Sequence, residues 1–324
     1  MKSEKKSSST SSRSRSTRPI LMLKIILYIF SLIIAVFNFA VFLIIFVLIN
    51  IPLIRKSIFG KLALDPRKKT WERVESNEYA DKKKLDIYFP NLEQLRLESP
   101  KGVVLFAHGG GWISGYRRQP NNVSWYRYLV GKGFIVATID YSRGYKAGIE
   151  KLIDELLEAV EYLSKRLEAL GIDKQISLIG LSAGAHLALL SASRIPDKIK
   201  CVVSYYAPCD LMDIWKTPSL FARFSAVTTL KRLPGRSKEI YEKYSPINNV
   251  SPDFPPTLLV HGLKDQMVPY TSAVKMFKAL SQVGVKVKLL LHPYGDHGFE
   301  FVLKDNYAVR ILEKTADFLE GNLW

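Results

Sequence analysis

From about residue 74 to the C-terminus, short runs of β-branched and aromatic residues alternate with longer segments whose apolar positions recur at helical spacing. This alternation predicts strands at 84–89, 102–107, 134–140, 175–179, 201–205, 257–261 and 286–291. Between and after them it predicts helices at 121–132, 148–170, 183–194, 270–283 and 306–319. Continuous apolar strands separated by amphipathic helices are the signature of an α/β fold, a mainly parallel sheet covered on both faces. In the longest helix Ile149, Leu152, Ile153, Leu156, Leu157, Val160, Leu163 and Leu167 form one stripe, so they are core. The stretch 208–256 is too long for a simple connection and is expected to be an insertion or lid. No internal repeat is present.

The pattern before residue 74 is different. Residues 25–49 carry no charge and only Ser31 and Asn38 as polar interruptions. About 20 apolar residues span a bilayer core, so this segment is expected to be a transmembrane helix. A cleaved signal would have a shorter apolar run and small residues at its end, and neither is found. The expected organisation is a basic Ser-rich tail over 1–19, an anchor over 20–54, a basic juxtamembrane linker over 55–73 and a catalytic domain over 74–324. The implied partner is the lipid bilayer.

Composition narrows the function. The chain has 324 residues, 48% of them hydrophobic, which excludes a mainly disordered protein or a small disulfide scaffold. The net charge of +17 would suggest nucleic acid if it were spread over the domain. Instead, residues 1–24 hold seven Lys or Arg against Glu4, and residues 55–73 hold seven against Asp65 and Glu72. The excess therefore brackets the apolar segment, and no nucleic-acid partner is expected. Equal flanks favour neither membrane orientation. Asn122-Val123-Ser124 and Asn249-Val250-Ser251 fit the glycosylation triplet. Cys201 and Cys209 can form at most one bridge, and no clustered Cys, His or carboxylate motif suggests a metal. No cofactor is expected.

Candidate chemistry begins at Gly180-Leu181-Ser182-Ala183-Gly184, which lies between an apolar strand and a helix. G-x-S-x-G in that context exposes a serine on a sharp turn, with the glycines removing side chains that would strike nearby backbone. Ser182 needs a base and a group that orients the base. Asp265 and His297 lie in the loops after the last two strands, giving the chain order Ser, Asp, His. His292 and Asp210 are rivals for those roles, Asp296 adjoins the base, and His186 and His261 read as structural. His108-Gly109-Gly110-Gly111-Trp112 follows the strand at 102–107. The amides of Gly110, Gly111 and Ala183 are expected to form an oxyanion hole, with His108 stabilising the loop. Trp112 and Tyr116 are substrate-pocket candidates.

These motifs, together with Tyr206-Ala207-Pro208-Cys209-Asp210-Leu211 and Gly295-Asp296-His297-Gly298-Phe299, resemble those of α/β-hydrolases of the carboxylesterase group related to hormone-sensitive lipase. The resemblance is strongest to the feruloyl and acetyl esterase-like branch and covers roughly residues 80–320. It extends to isoprenylcysteine methylesterases in the two glycine motifs, and to kynurenine formamidases in the His-Gly-Gly-x-Trp element. It implies an α/β-hydrolase fold and cofactor-free hydrolysis of carboxylic esters by Ser182, His297 and Asp265. Ser142-Arg143-Gly144-Tyr145-Lys146 departs from the Arg-Leu-Ala-Pro-Glu-like run that the group often has there. Amide or peptide hydrolysis, and a silent membrane-tethered binding module on the same scaffold, are the alternative readings.

Overall fold

The computed structural model describes residues 22, 25–30 and 58–321. The expected tail over 1–19 lies outside the described residues, and so does the expected anchor except for residues 22 and 25–30, which are helical. Among the described residues no helix is long and apolar enough to cross a membrane.

One eight-stranded sheet organises the unit that begins at Lys56. Its strands are β1 (Trp71–Ala80), β2 (Lys83–Pro90), β3 (Gly102–Ala107), β4 (Phe134–Ile139), β5 (Ile176–Leu181), β6 (Ile199–Tyr205), β7 (Thr257–Gly262) and β8 (Val287–His292). They lie in the order β1-β2-β4-β3-β5-β6-β7-β8. β2 is antiparallel to β1 and β4, and all other pairs are parallel. Parallel neighbours need crossovers, supplied here by α1 (Pro120–Gly131), α2 (Gly144–Ala169), α3 (Ala183–Arg194), α4 (Leu220–Leu230) and α5 (Thr271–Gln282), with α6 (Asn306–Glu320) closing the chain.

Strand periodicity divides the core. In β3, Val103 and Leu105 point into the layer with α2, α3 and α5, whereas Val104 and Phe106 point into the layer with α1 and α6. Both layers are buried, which is why these strands read as unbroken apolar runs. The segment at 208–256 folds into helical pieces around α4, whose Ala222, Ala226 and Leu230 join the first layer. Cys201 and Cys209 are buried free thiols.

Three expectations need correction. The expected linker over 55–73 is packed in its described part, 58–73: Leu62 is buried, its N–H donates to Ser124 Oγ at 3.2 Å, and Asp65 pairs with Arg127 at 2.6 Å. Burying such a leucine contributes about 2 kcal/mol, enough to hold the segment on α1. β1 was not anticipated, because Glu72, Arg73, Glu75 and Glu78 break any apolar run and both its faces are largely wet. Asn122 is buried inside α1 and donates from Nδ2 to Tyr116 O at 3.1 Å, which removes it as a glycan acceptor. In addition, α2 starts one turn earlier than expected, passing through a break at Gly148, where φ is 79°.

Candidate active site

A parallel strand delivers its following loop to the carboxyl edge of the sheet, and functional groups gather there. The turn between β5 and α3 places Ser182 at φ 52° and ψ −115°, outside both helix and strand geometry. The turn is sterically enforced. A Cβ on Gly180 would strike the backbone of Ala185, and one on Gly184 would strike the carbonyls of Ala107 and His108. The Ser182 N–H donates to Tyr205 O at 2.9 Å and its carbonyl accepts from His186 N at 3.0 Å, so both backbone ends are held.

The loops after β7 and β8 bring Asp265 and His297 to this serine. His297 Nε2 is 2.9 Å from Ser182 Oγ, and His297 Nδ1 is 2.8 Å from Asp265 Oδ2. An ionised carboxylate only accepts, so Nδ1 carries the proton and the Nε2 lone pair faces the serine hydroxyl. Asp265 Oδ1 accepts from the N–H groups of Met267 and Val268, each at 2.8 Å. Burial alone would raise the Asp265 pKa, but the His297 charge and the hydrogen bonds from His261 and His297 outweigh it and hold the carboxyl well below its usual range. Burial likewise disfavours the imidazolium of His297, yet the Asp265 charge prevails and its pKa is raised. A serine, a base of raised proton affinity and a fixed carboxylate can together pass one proton back and forth.

The rival residues are engaged elsewhere. His292 Nε2 contacts Asp305 at 3.0 Å, Asp210 pairs with Lys275, and Asp296 Oδ1 accepts from the amides of Gln266 and His297 at 3.0 and 2.7 Å. His186 is buried with Nε2 on Tyr244 O at 2.8 Å, as a structural residue should be. His261 was missed. Its Nε2 lies 2.9 Å from Val268 O and 3.2 Å from Asp265 Oδ2. Since both partners are acceptors, this nitrogen bears the proton, and a second imidazole supports the same carboxylate. The only sequence signal was its spacing of four residues from Asp265, which a strand-to-loop boundary disguised.

The glycine loop after β3 is contiguous with the serine turn: a Cβ on Gly109 would lie 3.2 Å from Leu181 O. Gly110, Gly111 and Trp112 have φ of 127°, 59° and 62°, a run that glycine permits at the first two positions. The Gly110 carbonyl accepts from the N–H groups of Ile113 and Ser114 at 3.2 and 3.0 Å, which tightens the loop. Ala183 opens α3, where first-turn N–H groups lack an intrahelical acceptor. His108 stacks on Tyr141 with ring centroids 4.2 Å apart, and burial pushes its pKa down to about 4, so it is neutral near pH 7. Trp112 is buried edge-on against His186, with ring centroids 5.2 Å apart, and Tyr116 is exposed.

Comparison with known proteins agrees with this architecture. An isoprenylcysteine alpha-carbonyl methylesterase from Arabidopsis thaliana is 25% identical over 233 residues, covering 66% of this chain and 53% of the relative. Esterase LipC from Mycobacterium tuberculosis is 27% identical over 220 residues, covering 63% and 54%. The chain thus spans about half the length of these curated relatives. Among solved structures, brefeldin A esterase, a bacterial homologue of human hormone sensitive lipase, superposes with a TM-score of 0.65 at 17% identity over 83% of this chain and 82% of that one. A truncated carbohydrate esterase from gut microbiota gives 0.66 at 20% identity, over 80% and 99%. At such identities the likeness establishes the α/β-hydrolase fold. The BD-FAE family model matches residues 85–280, more than half of the chain, so this protein belongs to the BD-FAE family of α/β-hydrolases.

Proposed function

We propose that the protein is a membrane-anchored serine esterase in which Ser182, His297 and Asp265 are the catalytic residues. The observation that carries this reading is the unbroken hydrogen-bonded chain from Ser182 Oγ through both nitrogens of His297 to Asp265. His297 Nε2 takes the serine proton as Oγ attacks the ester carbonyl. The developing oxyanion meets the amides of Gly110, Gly111 and Ala183. Collapse expels the alcohol, which takes the proton from His297, and a water deprotonated by the same nitrogen then releases the acid and restores the serine. Asp265 keeps the imidazole in the required tautomer throughout.

Relatives named as esterases and methylesterases support an ester over an amide as substrate. The uncharged segment over 25–49 supports anchoring, and in its described part Ile25, Ile26, Ile29 and Phe30 are exposed apolar residues of a helix. An anchored site meets lipid-linked or otherwise apolar esters at raised local concentration. Tyr116, exposed just after the glycine loop, is the residue to vary for substrate preference, and the 208–256 segment serves as the lid.

A fluorophosphonate probe tests the chemistry. Labelling of the wild type and its loss in Ser182→Ala is expected; equal labelling of that variant refutes the assignment. Retention of the full chain in membranes washed at alkaline pH is the expected outcome for anchoring, and release into the supernatant refutes it.

A further inference from the structure

His297 rests against a second aromatic and carboxylate pair that the proton relay does not use. Tyr206 follows β6 with φ 40°, a backbone conformation rare for a bulky residue, and its N–H is tied to Val260 O at 2.7 Å. Its ring centroid is 4.5 Å from that of His297, at an interplanar angle of 54°. The buried Tyr206 hydroxyl donates to Glu300 Oε1 at 2.5 Å. Glu300 is fully buried on the single turn Phe299–Val302, just after His297. Its Oε2 makes no hydrogen bond, with the Trp125 indole N–H as its polar neighbour. A buried, half-satisfied carboxylate and a strained tyrosine are each destabilising, and an apolar pair would fill the same space at less cost. The two costly features are bonded to each other, and the tyrosine ring lies against the imidazole.

We propose that Glu300 is a positioning residue for His297: through the Tyr206 hydroxyl it locks the phenol ring against the imidazole, and its carboxylate favours the imidazolium that forms as Ser182 attacks. The proposal rests on the reading of Ser182, His297 and Asp265 as the catalytic relay. His297 also feels Asp265 and Asp296, while Glu300 faces Tyr206, Tyr205 and Lys304. Burial lifts the Glu300 carboxyl to about 7 and keeps the Tyr206 hydroxyl protonated, far above its ordinary value. The carboxylate charge therefore develops near neutral pH, beside an imidazole whose own proton affinity is raised.

The test follows the His297 side-chain nitrogens by NMR through a pH titration of the full chain, with the signal assigned by its loss in His297→Gln. The same proteins are assayed for kcat and KM against pH on a short nitrophenyl ester. Glu300→Gln is expected to lower the His297 pKa by about 0.5–1 unit and to move the acid limb of kcat/KM down with it. Its plateau kcat falls about 3–10-fold with KM little changed. Tyr206→Phe keeps the ring, removes the hydroxyl link, and shifts the titration in the same direction by less; it decides the matter alone if Glu300→Gln does not fold. A folded variant of either kind with His297 titrating as in the wild type overturns the proposal. Ester hydrolysis surviving in Ser182→Ala would instead overturn the catalytic reading, while the titration, which needs no substrate, still reports the coupling.

Discussion

The two halves of the site are fixed by different forces. The half made by the β3 loop and the turn after β5 is held sterically: positive φ at Gly110, Gly111, Trp112 and Ser182, and glycines whose side chains would collide with backbone. The half made by the loops after β7 and β8 is held by charge and hydrogen bonds: Asp265 accepts from two amides and lies against two imidazoles. The difference teaches where a substitution is felt. Errors in the first half are paid in folding, whereas errors in the second leave the backbone in place and disturb proton transfer.

The largest contrast should come from Asp265→Asn. An amide can accept from Met267 and Val268 as before but cannot hold the His297 proton on Nδ1 as a carboxylate does. We expect kcat to fall by about 10³–10⁴-fold while the melting temperature moves by a few degrees at most. A loss of fold matching the loss of rate would break the comparison. Gly184→Ala is the converse case, since the new methyl group meets the carbonyls of Ala107 and His108. A destabilisation of about 1–3 kcal/mol in denaturant unfolding is expected, with fluorophosphonate labelling lost alongside it.

Smaller effects sharpen the picture. His261→Gln removes one donor from the carboxylate and should reduce kcat by about 3–10-fold without moving KM, as steady-state assays on a soluble ester would report. The mildest signature is in pH. His297 must be neutral to accept the serine proton, and its pKa is raised above 6.5, so kcat/KM should climb with pH through a midpoint above that value. A midpoint below 6.5 would mean that burial outweighs Asp265.

Much of this was legible in the amino-acid order. β3 is an unbroken apolar run opened by Gly102, α3 is a mostly small and apolar segment that ends just before Ile195-Pro196, and both appear with the expected limits. Ser182, Asp265 and His297, which the structure brings within hydrogen-bond reach of one another, can be singled out in the sequence because each lies just after a predicted strand. What escaped is equally physical. The charged, half-wet β1 has no apolar period, and the first turn of α2 hides between Gly144 and Gly148. His261 reads from the sequence as a structural strand-end residue, and nothing local marks Glu300 or Tyr206, because their pairing spans 94 residues.

The position of β8 at the end of the sheet has one more consequence. With only β7 beside it and most of its residues half-buried, β8 is the strand held by the fewest neighbours on the base-bearing side, whereas β5, which carries the serine, sits between β3 and β6. Fraying from that border would detach the imidazole while the serine stayed seated. Warming should therefore silence the protein before it melts, and cooling should restore it, making the outermost ladder a reversible off-switch set by temperature.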